Sequence, residues 1–235
     1  MTSLHWFAGL FVVLLAATTL TRSWLNQRQV AAVLRFRDEV PEAFRSHIDL
    51  ASHQKAADYT VASARLGRWD NLLDAALALL FTLGGGIAAV DEWWQATGLG
   101  PVLHGTAVVL TTLLIVSAAS LPLSIWRTFG IEARFGFNRT TPALFVADLV
   151  KGLVLILLLG GPLVFIVLFL MHRAGELWWL YAWIVWVTFT IAMTWAWPTL
   201  IAPLFNKFTP LSDATLKERT EALLERCGFS SRGVF

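Results

Sequence analysis

Long apolar runs alternate with polar stretches along this chain, and five of them approach or reach membrane-crossing length. They lie near 4–21, 72–90, 102–126, 146–171 and 177–197, where a helix needs roughly 20 apolar residues to cross hydrocarbon. Between the first two, "VAAVLRFRDEV" and "ASHQKAADYTVASARLGRW" mix apolar and charged positions at helical spacing. Segment 22–70 is therefore predicted to be helical and cytoplasmic. Its helices either protrude from the first two spans or lie on the membrane surface. Asp70, Asn71 and Asp74 are placed at the start of the second span, where acids favour a helix N-terminus.

Local breakers refine this picture. "LGGGIAAV" (83–90) weakens the second span by about 1 kcal/mol per glycine, either permitting close helix contact or loosening the span's end. Pro162 predicts a kink in the fourth span, and Pro198 and Pro203 are predicted to end the fifth. After them, Ser212 or Asp213 caps a helix with Leu216, Leu223 and Leu224 on one face, and Gly228 stops it. "SSRGVF" reads as the first residues of a strand. The predicted fold is all-α, a polytopic transmembrane helix bundle over 1–200 with protruding cytoplasmic helices. Residues 201–235 are then a linker and the start of a soluble domain that reads as cut short.

Composition agrees with a membrane setting. Only 14% of residues are charged and 57% are hydrophobic, against roughly 25% charged in soluble domains. The net charge of +2 is spread over loops rather than along one face, which excludes a nucleic-acid footprint. The single Cys227 excludes an internal disulfide framework and a cysteine-based zinc cluster. The first apolar run has no basic leader and a poor cleavage site in "AAT" (16–18), so it reads as a retained signal anchor.

Orientation follows from lysine and arginine. The stretch 22–69 holds eight of them, the turn 91–101 none, the loop 127–141 three, and the turn at 172–176 Arg173 alone. The tail beyond 198 is basic again. This alternation puts the N-terminus outside and the C-terminus in the cytoplasm. Short loops and the lack of a retention signal point to a bacterial inner membrane.

The densest polar patch beside the membrane is the third loop. Glu132, Arg134, Asn138 and Arg139 precede Asp148 and Lys151, which enter the fourth span three residues apart. That spacing sets Asp148 and Lys151 on one helix face, where they can pair. The pair faces either the bundle interior or a wet cavity, or it is interfacial with Lys151 snorkelling outward. "NRT" (138–140) matches a glycosylation sequon, accidental on a cytoplasmic loop. The five histidines are scattered, no His-Glu-x-x-His occurs, and His47 and His53 are six apart rather than four. By residue chemistry alone the chain carries no complete active site.

Three strings bear a resemblance. "IAPLFNKFTPL" (201–211) after a tryptophan-rich span, "EARFGFNRTT" with "DLVK" downstream (132–151), and "HQKAADYT" (53–60) resemble the type I CAAX prenyl endopeptidases. That family consists of integral-membrane zinc metalloproteases, and the likeness runs in order over essentially the whole chain. It implies that this region is the amino-terminal membrane part, helping to wall a large chamber. The zinc would be held by a His-Glu-x-x-His motif and a later Glu in sequence beyond Phe235, with none bound by this stretch. The implied partners are the lipid bilayer and a peptide or prenylated protein substrate. Glu132, Arg134, Asn138, Arg139, Asp148, Lys151, Asn206 and Lys207 become candidate chamber or rim residues, with no catalytic residue transferred. Asn206 and Lys207 either touch substrate or serve packing and turn formation. Two readings of other classes stay open: a transporter or channel component, in which Pro162, the glycines and the Asp148–Lys151 pair line a pathway, and a non-catalytic membrane scaffold.

Overall fold

A computed structural model describes residues 2–206, 209, 211 and 213–228. It divides into two units, 1–172 and 173–235.

In the first unit, α1 (Thr2–Arg35) and α2 (Leu50–Thr82) are long unbroken helices. Both carry their apolar segments directly into the mixed polar ones. The N-terminus of α2 is set by Asp49, whose carboxylate accepts from the Ser52 amide at 2.6 Å. Asp70, Asn71 and Asp74 therefore do not open a helix, as predicted; they sit well inside one. Asp70 and Asn71 bond sideways instead, Asp70 to Arg127. Asn71 Nδ2 donates to the Thr19 carbonyl at 3.1 Å and to Ser23 Oγ at 3.2 Å. Asn26 Nδ2 donates to the Ala64 carbonyl at 2.9 Å, and His53 Nε2 lies 2.9 Å from the Phe36 carbonyl. These pairings run in opposite directions along the two helices, so α1 and α2 form an antiparallel hairpin.

The predicted second span is two helices rather than one. α2 gives way to α3 (Gly86–Gln95) with a bend of 52°. The cause is steric and conformational. A Cβ on Gly84 would sit 2.7 Å from the Leu80 carbonyl oxygen, and Gly85 has φ +78°, a conformation that side chains resist. α3 then folds back on α4 (Pro101–Ile125): Phe81, Val90 and Val108 form a small core, and Trp94 Nε1 donates to Thr111 Oγ1 at 3.0 Å. His104 Nε2 lies 2.6 Å from Asp91 Oδ1 and ties the same two helices together.

α4 continues through a π-helical stretch, Trp126–Glu132, into the single turn α5 (Ala133–Phe135). After a loop, α6 (Pro142–Leu155), a π-helical turn (Ile156–Gly160) and α7 (Gly161–Arg173) make one long helix. The widened turn lies just ahead of Pro162. A π turn relieves the clash between a proline ring and the preceding carbonyls, so the helix absorbs the proline within its length.

In the second unit, α8 (Trp178–Ala196), a π-helical turn (Trp197–Ile201) and α9 (Ala202–Phe205) likewise run on. Pro198 and Pro203 were expected to end this helix, yet it continues to Phe205, and Asn206 is the first extended residue. The π turn contains Pro198 and widens the ladder where its N–H is missing, and Thr199 Oγ1 donates to the Trp195 carbonyl at 2.7 Å. Beyond it, α10 (Ala214–Arg226) is capped by Asp213, which accepts from the Thr215 and Leu216 amides at 3.0 Å each. Of the two predicted caps, Ser212 lies outside the described residues, as does the predicted strand start in 229–235.

Helices Trp6–Arg35, Pro101–Phe135, Pro142–Arg173 and Gly175–Phe205 are apolar enough to cross a membrane, and the bent α2–α3 pair makes a fifth candidate. The four single helices contain 30 to 35 residues each, or about 45–50 Å of helix. Hydrocarbon is only about 30 Å thick, so every one of them projects beyond it. Among the described residues no large side chain is fully buried, whereas Ile191 is 67% and Trp183 60% exposed. Such apolar surface requires lipid as its solvent.

Candidate functional site

The projecting end of the long 101–135 helix is held against α2. The π-helical stretch turns Ile131 inward, and α5 adds Phe135; both are buried against Leu66 of α2, with Tyr59, Ala62 and Leu123 packed around them. Gly136, at φ +75°, then reverses the chain. The Phe137 and Asn138 amides both donate to the Glu132 carbonyl, at 2.9 and 3.2 Å, which closes a helix end in the way a left-handed glycine allows. The reversal presents two aromatic rings to Tyr59. Phe135 and Phe137 meet it edge-on, with centroids 5.5 and 5.0 Å away.

Charges frame this aromatic cluster. Lys55 Nζ lies 5.3 Å from the centre of the Phe137 ring, a cation–π contact. Arg37, just past the end of α1, forks onto Asp58 with Nε–Oδ1 and Nη2–Oδ2 distances of 2.8 Å each. The Arg37 hydrogen bonds hold the Asp58 carboxyl below the usual carboxylate range; burial opposes them, and the charges of Arg37 and Arg134 add to the lowering. Arg37 also bonds Asp38, and the guanidinium pKa is raised in turn. Arg127 bridges to Asp70 of α2. The strings "HQKAADYT" and "EARFGFNRTT", far apart in the chain, thus form one rim.

The predicted site residues distribute unevenly over it. Arg134 lines a cavity against α2. Glu132 supplies its backbone carbonyl to the reversal. Asn138 Oδ1 accepts from the Thr140 amide at 2.6 Å and shapes the loop, and Arg139 is exposed. Asp148 and Lys151 form a half-buried ion pair at 3.1 Å on α6. Asn206 is exposed in the second unit, and Lys207 lies outside the described residues. Sequence reasoning missed Arg37, Asp58, Tyr59 and Lys55 as parts of the rim. A signal was present, because three of them fall inside the quoted string at 53–60.

Among the described residues, no three His, Cys, Asp or Glu side chains come together in a way that could hold a metal ion. His53 and His47 are engaged locally, with the Phe36 carbonyl and with Ser46 Oγ. The residues here do not fit a zinc centre.

Comparison with known proteins places this arrangement. The family model described as "CAAX prenyl protease N-terminal, five membrane helices" matches residues 29–207. The chain belongs to this family. Its fold resembles the crystal structure of S. mikatae Ste24p, with a TM-score of 0.82 and 26% identity over 95% of this chain and 53% of that one. It is 30% identical to CAAX prenyl protease 1 of Saccharomyces cerevisiae, over 91% of this chain and 49% of that protein. It is 36% identical to the CAAX prenyl protease 1 homolog of Arabidopsis thaliana, over 59% of this chain and 33% of that protein. The human homolog is 27% identical over 92% of the chain and 47% of its own length. The chain therefore spans between a third and about half of the length of these proteins. It corresponds to the N-terminal, membrane-helix portion of that family and is an integral membrane protein with the predicted all-α bundle.

Proposed function

We propose that this chain forms chamber wall and cytoplasmic rim for a peptide substrate in a zinc metalloendopeptidase that cleaves prenylated or membrane-associated proteins. The observation that carries this reading is the rim itself. Two of the strings that resemble the family meet on one another around Tyr59, at the end of helices that overshoot the bilayer. A rim of that kind orients a soluble portion and guides a peptide without doing chemistry. Glu132, Arg134, Asn138, Arg139 and the Asp148–Lys151 pair would offer polar contacts to the passing chain, and Asn206 and Lys207 would seat the polypeptide leaving the last helix. Zinc ligands do not come together among the described residues; in such an endopeptidase they would come from a further portion of the protein. The basic-loop alternation supports an N-terminus outside and a C-terminus in the cytosol. The short loops are the ground for placing it in a bacterial inner membrane, whereas a eukaryotic relative would sit in the endoplasmic reticulum.

The test is proteolysis of a farnesylated C-terminal peptide by the protein with its downstream sequence. Cleavage abolished by a zinc chelator and restored by added zinc is expected. Chelator-insensitive proteolysis would remove the reading, as would stoichiometric zinc tightly bound to residues 1–235 alone.

A further inference from the structure

Beneath the rim lies a cavity of about 640 Å³ between α2 and the end of the 101–135 helix, within the roughly 300–1,000 Å³ typical of ligand pockets. Leu66, Leu123 and Ile131 supply apolar lining. Each helical wall also carries an arginine and a tryptophan at turn spacing: Arg65 and Trp69 on α2, Arg134 and Trp126 on the other. The tryptophans are 65% and 64% exposed. Rings of that kind settle at the membrane–water boundary.

The charges beside the cavity are not equivalent. Arg127 is paired with Asp70, and Arg37 occupies both oxygens of Asp58. Among the described residues Arg65 and Arg134 make no salt bridge, although both line the cavity. Arg134 also lies 5.6 Å from the Phe135 ring centre and its charge reaches Asp58. Neither guanidinium is held by a carboxylate, however, and two such groups over an apolar hollow suit an anion carrying an apolar tail. The lining is helical throughout, so it offers no unpaired edge to which a peptide main chain could add. Phosphate is a good match for guanidinium forks, and basic pockets between membrane helices on the cytoplasmic side hold acidic lipid headgroups.

We propose that this cavity binds one anionic glycerophospholipid, an acyl chain against Leu66, Leu123 and Ile131 and the phosphate between Arg65 and Arg134. The lipid would fill the hollow behind the rim and brace the 126–135 segment on α2. This assignment stands apart from the protease reading, since it needs neither zinc nor a peptide.

The test is native mass spectrometry of the full-length protein in mild detergent, titrated with phosphatidylglycerol and with phosphatidylcholine. One phosphatidylglycerol should be retained at roughly tenfold lower concentration than phosphatidylcholine or better, given two arginine contacts. R65Q/R134Q should erase the preference while R68Q, outside the cavity, leaves it intact. L123W, which fills the hollow and keeps both charges, should also lose the lipid. Thermal unfolding midpoints confirm folding, and the single variants R65Q and R134Q each report a partial loss if the double variant is unstable. Equal retention of the two lipids overturns the proposal, as does a preference indifferent to both arginines. Displacement of function to a farnesylated peptide, with arginine-dependent peptide binding but no lipid preference, overturns it in favour of a substrate site.

Discussion

Tyr59 occupies the centre of the rim, with two rings edge-on and a cation beyond one of them. Each such aromatic pair contributes about 0.5–1.5 kcal/mol beyond area burial. Y59L should therefore cost about 1–3 kcal/mol in detergent thermal unfolding. Y59F should stay close to wild type, because the rings rather than the hydroxyl make these contacts. Asp58 supports a pH test. Its folded pKa is depressed, so its stabilising contribution is present above the ordinary carboxylate value of about 3.9 and is lost as pH falls through the folded value. The unfolding midpoint of D58N should lie below that of wild type by a constant amount from about pH 5 to 8, and the gap should close on further acidification. Some residue-level facts were legible because they are local. Asp148 and Lys151 pair as their i, i+3 spacing requires. The Tyr59 cluster was not legible, since its partners come from a segment far along the chain and no periodicity announces them.

Glycine and proline decide the elements, and they do so differently. Gly84 and Gly85 break a helix that hydropathy alone would carry through. A methyl on Gly84 meets backbone rather than a movable side chain, so G84A should cost about 1–3 kcal/mol. By contrast Gly152, within α6, faces open space, and G152A should be neutral or stabilise by up to about 1 kcal/mol. Unfolding midpoints of the two variants side by side would check this. The prolines behave in the opposite sense to their reputation. Pro162 and Pro198 each lie in or beside a π-helical turn and the helix proceeds. Sequence reasoning expected an ending at Pro198 because a proline removes a donor; it lacked the widened turn that accommodates the loss.

At the scale of the molecule, the proposed orientation makes a direct prediction. Cys227 is the only cysteine and is exposed, which makes it a native reporter. A membrane-impermeant maleimide should label it in inverted vesicles and leave it untouched in intact spheroplasts; the reverse pattern would invert the proposed topology. A cysteine placed at Thr97 in a C227S background should show the opposite sidedness. The amino-acid sequence alone determined the solvent this protein folds in, the number and rough place of its apolar segments, and its family likeness. Those follow from run length and short strings, which are properties of neighbouring residues. Only the tertiary structure decided that Asp70 and Asn71 are lateral ties rather than helix openers, that the second span is bent, and that residues 53–60 and 132–138 make one rim with a hollow beneath it. These depend on which helix faces meet, and packing in three dimensions fixes that where spacing along one helix does not.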